Sequence, residues 1–166
     1  MRVSLTEFNR AADGDARAQL QSCLRVSRWV DGLSARRPFS SVEEALELAH
    51  TIAHPLTEEE IDEALAGHPR IGDRDDSDTA EAAHSRREQG GLGDADAEIL
   101  RRLDAGNRAY EERFGRVFLI RAAGRTHQEV LTELERRLDL DPARELEIIG
   151  QQLEEIAALR LEGLLR

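Results

Sequence analysis

Apolar residues recur every three to four positions along most of the chain, which places them on one face of an α-helix. The pattern predicts helices over about 4–12, 15–31, 41–50, 57–67, 79–89, 94–113, 126–138 and from 141 to near the end. Three starts carry a capping box, a Ser or Thr followed three residues later by Glu, at Ser41, Thr57 and Thr126. We therefore expect an all-α, single-domain multi-helix bundle of about seven to eight helices over residues 1–166.

One short stretch breaks this pattern. Residues 117–120 read VFLI, four apolar positions in a row with β-branched members. Such a run is typical of a buried extended segment, and we predict one non-helical segment near 116–122. No second strand candidate pairs with it, so its backbone N–H and C=O groups need other hydrogen-bond partners, and a ligand is one candidate.

Composition and charge exclude some functions. Charged residues make up 34% of the chain and the net charge is −11, a balance that repels phosphate backbones and disfavours nucleic acid as a partner. There is no run of roughly 18 apolar residues and no signal-peptide pattern at the N-terminus, so we expect no membrane association. The single cysteine, Cys23, lies among apolar residues and predicts a buried inert thiol in a reducing cytoplasm.

An arginine interrupts the apolar face of the last predicted helix. Arg160 falls in the middle of the face formed by Leu146, Ile149, Leu153, Ile156 and Leu164. A guanidinium at a core position is costly unless it is paired. It can pair with a buried carboxylate or extend to the surface near the helix end, or it can point into a cavity and bind an anion. The spacing leaves these interpretations open.

A histidine is placed where the fifth helical pattern stops. The stretch GHPRIGD at 67–73 puts His68 before Pro69, and a residue before proline is pushed out of the helical region. Gly67 can adopt the geometry that ends a helix. We therefore expect His68 on a short, stiff connection.

Two further polar sets have open interpretations. Ser85, Glu88 and Gln89 share one helix face, which is either solvated or lines a polar pocket. His50 and His54 have a spacing that can bind a metal on a helix, but Pro55 ends the helix there and no third ligand follows nearby. We therefore predict no metal site, and the chain carries no nucleotide-binding or serine-nucleophile motif.

Several stretches, taken in order, resemble a known family. They are RWVDGLSARRPFSS, GHPRIGD, SRREQGGL, NRAYEERFGRVFLIRA and the late pair Arg160-Leu161. Together they resemble the 2-oxo-4-hydroxy-4-carboxy-5-ureidoimidazoline (OHCU) decarboxylases, which complete urate breakdown to (S)-allantoin. The resemblance covers nearly the whole chain.

The resemblance implies a role for each matching residue. His68 matches the catalytic histidine and Glu88 a second catalytic group. Substrate-binding positions are implied at Pro69, Ser85, Arg86, Arg87, Glu88, Gln89, Phe118, Leu119, Ile120, Arg121, Ala122 and Arg160. The stretch from Phe118 to Ala122 is expected to bind largely through its backbone. Arg121 is a departure, because many relatives have a small residue there.

The resemblance also implies the protein's general properties. It implies an all-helical homodimer that acts on a small molecule and needs no metal or organic cofactor. The substrate ring carries a C=N bond beside the carbon that loses CO₂, so the ring itself accepts the electron pair. The peroxisomal tripeptide of animal members is absent, which favours a bacterial-type cytoplasmic enzyme. The alternatives are a related lyase acting on another ureido or imidazole acid, and a non-catalytic helical binding module.

Overall fold

The computed structural model describes residues 3–71, 80–90 and 96–166, except the side chains of residues 80–82 and 85. These residues form nine helices and no strand: α1 (Leu5–Arg10), α2 (Asp13–Cys23), α3 (Ser27–Arg36), α4 (Val42–Ala53), α5 (Glu58–Leu65), α6 (Ala80–Gly90), α7 (Ala97–Phe114), α8 (His127–Leu138) and α9 (Pro142–Leu165). The all-α class is confirmed, as is the non-helical segment near 116–122. Residues 72–79 and 91–95, which include the predicted helix starts at 79 and 94, lie outside the described residues.

Contacts divide the chain into two compact units. The first unit comprises Met1–Ala64 with Leu153–Arg166, and the second comprises Leu65–Gln152. Helix α9 therefore contributes residues to both units. That the whole chain acts as a single domain stays a prediction.

The N-terminal helix boundaries were predicted incorrectly. The helix expected over 15–31 is two helices, because Leu24 and Val26 have extended backbone conformations between α2 and α3. In an extended chain, residues two apart point to the same side, and both of these side chains are buried. The break between the first two predicted helices is present but lies at Ala11 and Ala12, since α1 ends at Arg10 and α2 begins at Asp13. Helix α3 extends to Arg36, five residues beyond the predicted end at 31.

Two of the three predicted capping boxes are confirmed. Thr57 and Thr126 each exchange hydrogen bonds with the Glu three residues later. Ser41 accepts from the N–H of Glu44 as expected, but the Glu44 carboxylate accepts from the N–H and hydroxyl of Ser40 instead. The Glu44 carboxylate therefore holds Ser40, the residue before the N-cap Ser41.

The first unit is built around a buried tryptophan. Trp29 of α3 donates its indole N–H to the carbonyl of Ala49 in α4 at 3.0 Å. A Cβ on Gly32 would lie 2.6 Å from Cδ1 of Ile52, so the glycine allows α3 and α4 to approach closely. Cys23 is buried here, as predicted. No helix in the described part of the chain has the length and apolar character needed to cross a membrane.

An arginine-proline-phenylalanine stretch is fastened to α1. Arg37 donates to the carbonyls of Phe8 and Ala11 at 2.8 and 2.9 Å, which satisfies backbone groups at the end of that helix. The side chain of Asn9 bonds both the N–H and the carbonyl of Phe39, at 2.9 and 2.8 Å. This stretch is therefore fixed by side chains, without regular secondary structure of its own.

The second unit packs around α7 and α8. A Cβ on Gly106 would lie 2.6 Å from Cδ2 of Leu134, so the two helices meet closely at this glycine. One buried cluster fills this unit: Ile71, Leu103, Tyr110, Phe118, Ile120, Ala122, Val130, Leu131 and Leu134. The histidine-bearing connection and the non-helical segment therefore share a core.

Candidate active site

The connection that carries His68 leaves the helical pattern where the sequence predicts. Helix α5 ends at Leu65, and the His68 N–H donates to the Leu65 carbonyl at 3.0 Å in the turn that follows. His68 and Pro69 are partly buried and non-helical, and the His68 Nε2 atom lies beneath the surface. The remaining residues of the motif, Gly72 and Asp73, lie outside the described residues.

Helix α7 holds this connection at two points directly after Pro69. Arg70 forms a two-point ion pair with Glu111, with Nε 2.5 Å from Oε1 and a second contact between Nη2 and Oε2. Asn107 donates its Nδ2 to the carbonyl of Ile71 at 3.0 Å. The backbone that presents His68 is therefore anchored by side chains that the sequence analysis did not single out.

The predicted substrate-binding stretch on α6 is described in part. Glu88 and Gln89 are partly buried, whereas Arg86 and Arg87 are exposed. The Ser85 side chain lies outside the described residues. The predicted roles of these five residues stay predictions.

The side chains of the non-helical segment alternate between two sides. Phe118, Ile120 and Ala122 belong to the core cluster of the second unit, while Leu119 and Arg121 between them do not. This period of two is that of an extended chain. The prediction of an extended segment is therefore confirmed by its packing.

Side chains bond three backbone groups along one edge of this segment. Arg137 Nη1 donates to the Leu119 carbonyl at 2.8 Å, and the Arg121 N–H donates to Oε1 of Gln152 at 2.9 Å. Arg125 Nε donates to the Arg121 carbonyl at 3.0 Å. Residues two apart in an extended chain direct their N–H and C=O groups to the same edge, so these contacts occupy the edge of Leu119 and Arg121.

The opposite edge belongs to Phe118 and Ile120. No hydrogen bond from the described part of the chain reaches the backbone of either residue. Buried backbone groups are nearly always paired, so this edge has the capacity to bind a ligand through main-chain N–H and C=O groups.

A buried ion pair supports the segment. Arg137 and Glu145 are 0% and 1% exposed, and Arg137 Nε lies 2.9 and 3.1 Å from the two Glu145 oxygens. Tyr110 donates its hydroxyl to the same carboxylate, and the guanidinium carbon lies 4.6 Å from the centre of the Phe118 ring. Burial, with Glu145 beside it, raises the pKa of Tyr110, so its hydroxyl stays protonated and remains a donor.

Arg137 was not among the residues predicted from the sequence, although a signal was present. Arg137 follows Val130 by seven residues and Leu134 by three, so it falls on the apolar face of α8. This is the same signal that singled out Arg160. Its hydrogen-bond acceptors, Glu145 and Leu119, lie in other parts of the chain, so no local spacing in the sequence predicts these contacts.

Arg160 lies in the first unit. It is 4% exposed, and Ile149, Leu153, Ile156 and Leu164 on its helix face are buried as well. The prediction that Arg160 occupies a buried face is therefore confirmed, although Leu146 on that face is only partly buried. Its role in binding stays a prediction.

The paired histidines lie in the first unit beside an acid. The His50 and His54 rings stack with centroids 5.8 Å apart, and His54 Nδ1 lies 3.1 Å from Oε1 of Glu154. Helix α4 ends at Ala53, which leaves His54 in an extended conformation at the cap. Among the described residues, no group of three or more His, Cys, Asp or Glu side chains is arranged to hold a metal ion.

These features define a class of protein: an all-α domain whose anchored imidazole shares a packed unit with an open backbone edge, an arrangement suited to a small-molecule enzyme. A family model described as OHCU decarboxylase matches residues 9–162. The chain belongs to the OHCU decarboxylase family.

Individual relatives agree with this membership. A 2-oxo-4-hydroxy-4-carboxy-5-ureidoimidazoline decarboxylase of Haloferax volcanii is 28% identical over 161 residues, which are 96% of this chain and 94% of the relative. The decarboxylase of the same name from Mus musculus is 33% identical over 133 residues, 79% of this chain and 75% of the relative. The Arabidopsis thaliana uric acid degradation bifunctional protein TTL is 31% identical over 86% of this chain and 45% of its own length.

Solved structures share the fold. An OHCU decarboxylase crystallised in the presence of (S)-allantoin superposes with a TM-score of 0.73 at 29% identity, covering 87% of this chain and 94% of that one. An (S)-allantoin synthase has a TM-score of 0.72 at 16% identity, covering 98% of this chain and 54% of that one. The second likeness concerns the fold alone.

Proposed function

We propose that this chain decarboxylates OHCU to (S)-allantoin in urate catabolism. The observation that carries the proposal is the family match over residues 9–162, supported by the structural likeness to a decarboxylase crystallised with (S)-allantoin. The anchored His68 connection and the open edge of the extended segment supply chemistry that this reaction needs.

The reaction requires few groups from the protein. The bond between the ring carbon and its carboxylate breaks and CO₂ leaves. The released electron pair forms a C=C bond to the carbon that bears the ureido group, and the C=N pair moves onto the ring nitrogen, which takes up a proton. The resulting enol then becomes the ketone: the hydroxyl loses its proton, its carbon becomes a carbonyl, and the C=C pair takes up a proton at the ureido-bearing carbon, where the face of delivery sets the (S) configuration.

Each proposed residue has a task in this sequence. His68 carries an imidazole, which can both accept and donate a proton, so it is the general acid and base that delivers the proton. Glu88 hydrogen-bonds the substrate hydroxyl or orients the imidazole. Arg160 holds the anionic substrate by charge-assisted hydrogen bonds.

The extended segment contributes through its main chain. The N–H and C=O groups of Phe118 and Ile120 bind polar atoms of the ring, since the described residues leave that edge open. The remaining proposed substrate contacts come from Pro69, Leu119, Arg121, Ala122 and the stretch at 85–89.

The proposal extends to the protein's setting. The chain acts as one domain on a small molecule, as a homodimer in the cytoplasm, without nucleic acid, membrane or cofactor. Size measurement at micromolar concentration tests the dimer.

Optical rotation tests the activity, because OHCU also decays spontaneously and substrate loss alone proves nothing. Freshly generated OHCU is given to wild type, to His68→Asn and to the exposed control His50→Asn. We expect optically active allantoin from wild type and control, and a fall in stereospecific turnover of about 10²–10⁴-fold for His68→Asn. Racemic product from wild type refutes the function; turnover by His68→Asn within about tenfold of wild type refutes the role of His68.

A further inference from the structure

Arg137 contacts the extended segment and a buried acid at the same time. We propose that Arg137, held by Glu145, is a positioning residue for the decarboxylation: it fixes the segment so that the edge of Phe118 and Ile120 faces the substrate in a productive geometry. This inference rests on the proposed function and adds to it a residue that does not touch the substrate.

The contacts of Arg137 fix the segment in two directions. One guanidinium nitrogen bonds the Leu119 carbonyl at 2.8 Å, which sets the rotation of that peptide. The guanidinium also lies over the Phe118 ring, with Cζ 4.6 Å from the ring centre. Because Leu119 lies between Phe118 and Ile120, its orientation decides where the opposite edge points.

Stability alone does not account for this arrangement. A fully buried ion pair loses the hydration of both partners, and apolar residues of similar volume often stabilise a core as well or better. Arg137 and Glu145 are both essentially inaccessible to solvent. What apolar residues do not supply is a donor for the Leu119 carbonyl.

Helix α7 contacts both proposed substrate-binding elements of the second unit. Tyr110 of α7 donates to Glu145 and packs against Phe118 with ring centroids 5.2 Å apart. Asn107 and Glu111 of α7 hold Ile71 and Arg70 next to His68 and Pro69. Helix α7 thus sets the position of the His68 connection relative to the backbone edge. The Arg137–Glu145 pair holds the extended segment that carries this edge.

The test removes both buried charges together. The double variant Arg137→Met, Glu145→Gln leaves no lone buried charge and keeps an acceptor for Tyr110. The matched control is Arg136→Met, Glu133→Gln, an ion pair on the same helix whose arginine is 51% exposed. A third variant, Arg137→Lys, keeps the charge beside Glu145, but its single nitrogen lacks the fork that spans Glu145 and the Leu119 carbonyl.

Four quantities are measured on each variant: the melting temperature, kcat and KM on OHCU by optical rotation, and the pH profile of kcat. We expect the folded double variant to lose about 10²-fold in kcat, the cost of a small misplacement of bound substrate. Arg137→Lys loses part of this activity, and the control keeps wild-type values. The midpoint of the pH profile does not move, because the proton-transferring group is unchanged.

The outcomes separate the two proposals. Wild-type kcat in the folded double variant and in Arg137→Lys, even with a lower melting temperature, overturns the positioning role and leaves the proposed function intact. If the double variant does not fold, Arg137→Lys decides, because it retains the buried ion pair. An inactive wild type overturns the proposed function itself.

Discussion

Asn107 gives the sharpest test of how the His68 connection is held. Its Nδ2 donates to the buried Ile71 carbonyl at 3.0 Å, three residues after His68. Asn107→Ala removes this donor and leaves a buried carbonyl unpaired. Because Ile71 belongs to the core cluster, little water reaches the carbonyl to replace the donor.

The expected loss of stability follows from three contributions. An unpaired buried carbonyl costs about 1–3 kcal/mol. Alanine returns roughly 0.5 kcal/mol through its higher helix propensity. The change also removes the Asn107 Oδ1 atom, which is buried and has no hydrogen-bond partner among the described residues. Removal of this unpaired acceptor offsets a further part of the lost stability. We expect a net loss of about 1–2 kcal/mol, which lowers the melting temperature of a chain of this size by about 2–8 °C.

The assay combines thermal unfolding by circular dichroism with turnover per folded molecule. Arg108→Ala is the control, because Arg108 neighbours Asn107 on the same helix and is 70% exposed beside Asp104. We expect Asn107→Ala to lower both the melting temperature and kcat, and Arg108→Ala to change neither. An unchanged melting temperature refutes the assigned energy of the hydrogen bond. A lower melting temperature with full kcat refutes its role in placing His68.

Two further predictions concern the first unit. Arg160→Leu raises KM for OHCU, since the buried Arg160 is proposed to hold the substrate anion; an unchanged KM contradicts this. The hydrogen bond from Arg28 holds the pKa of Glu60 below its ordinary 4.5. The Arg28–Glu60 interaction therefore stabilises the folded protein above pH 4.5, and this contribution is lost as the pH falls through the lowered pKa. Melting temperatures of Glu60→Gln should therefore fall less steeply below pH 4.5 than those of wild type; parallel curves contradict the assignment.

The helices and the extended segment could be predicted because their signals are local. The capping residues Thr57 and Thr126 and the apolar run at 117–120 each encode structure within a few residues. The division of 15–31 was missed because Leu24 and Val26 also fit a helical apolar pattern; their extended conformation is set by burial against the rest of the first unit.

The anchors of the candidate site could not be predicted because they are tertiary contacts between distant residues. Asn107 and Ile71 are 36 positions apart, and Gln152 and Arg121 are 31 positions apart. Neither pair follows a spacing that a single helix or strand imposes. The sequence places the imidazole and the backbone segment, and the packing of α7, α8 and α9 supplies the side chains that hold them.

The two buried arginines show where spacing stops being informative. Arg137 and Arg160 both lie on the apolar face of a helix and both are buried, so the pattern treats them alike. For Arg137 the structure shows a carboxylate and a backbone carbonyl of the protein as acceptors, which is a supporting role. The proposed role of Arg160 is instead to bind the substrate anion. Substitution at Arg160 should therefore act mainly on KM and substitution at Arg137 mainly on kcat, so kinetics can separate two residues that the sequence pattern cannot distinguish.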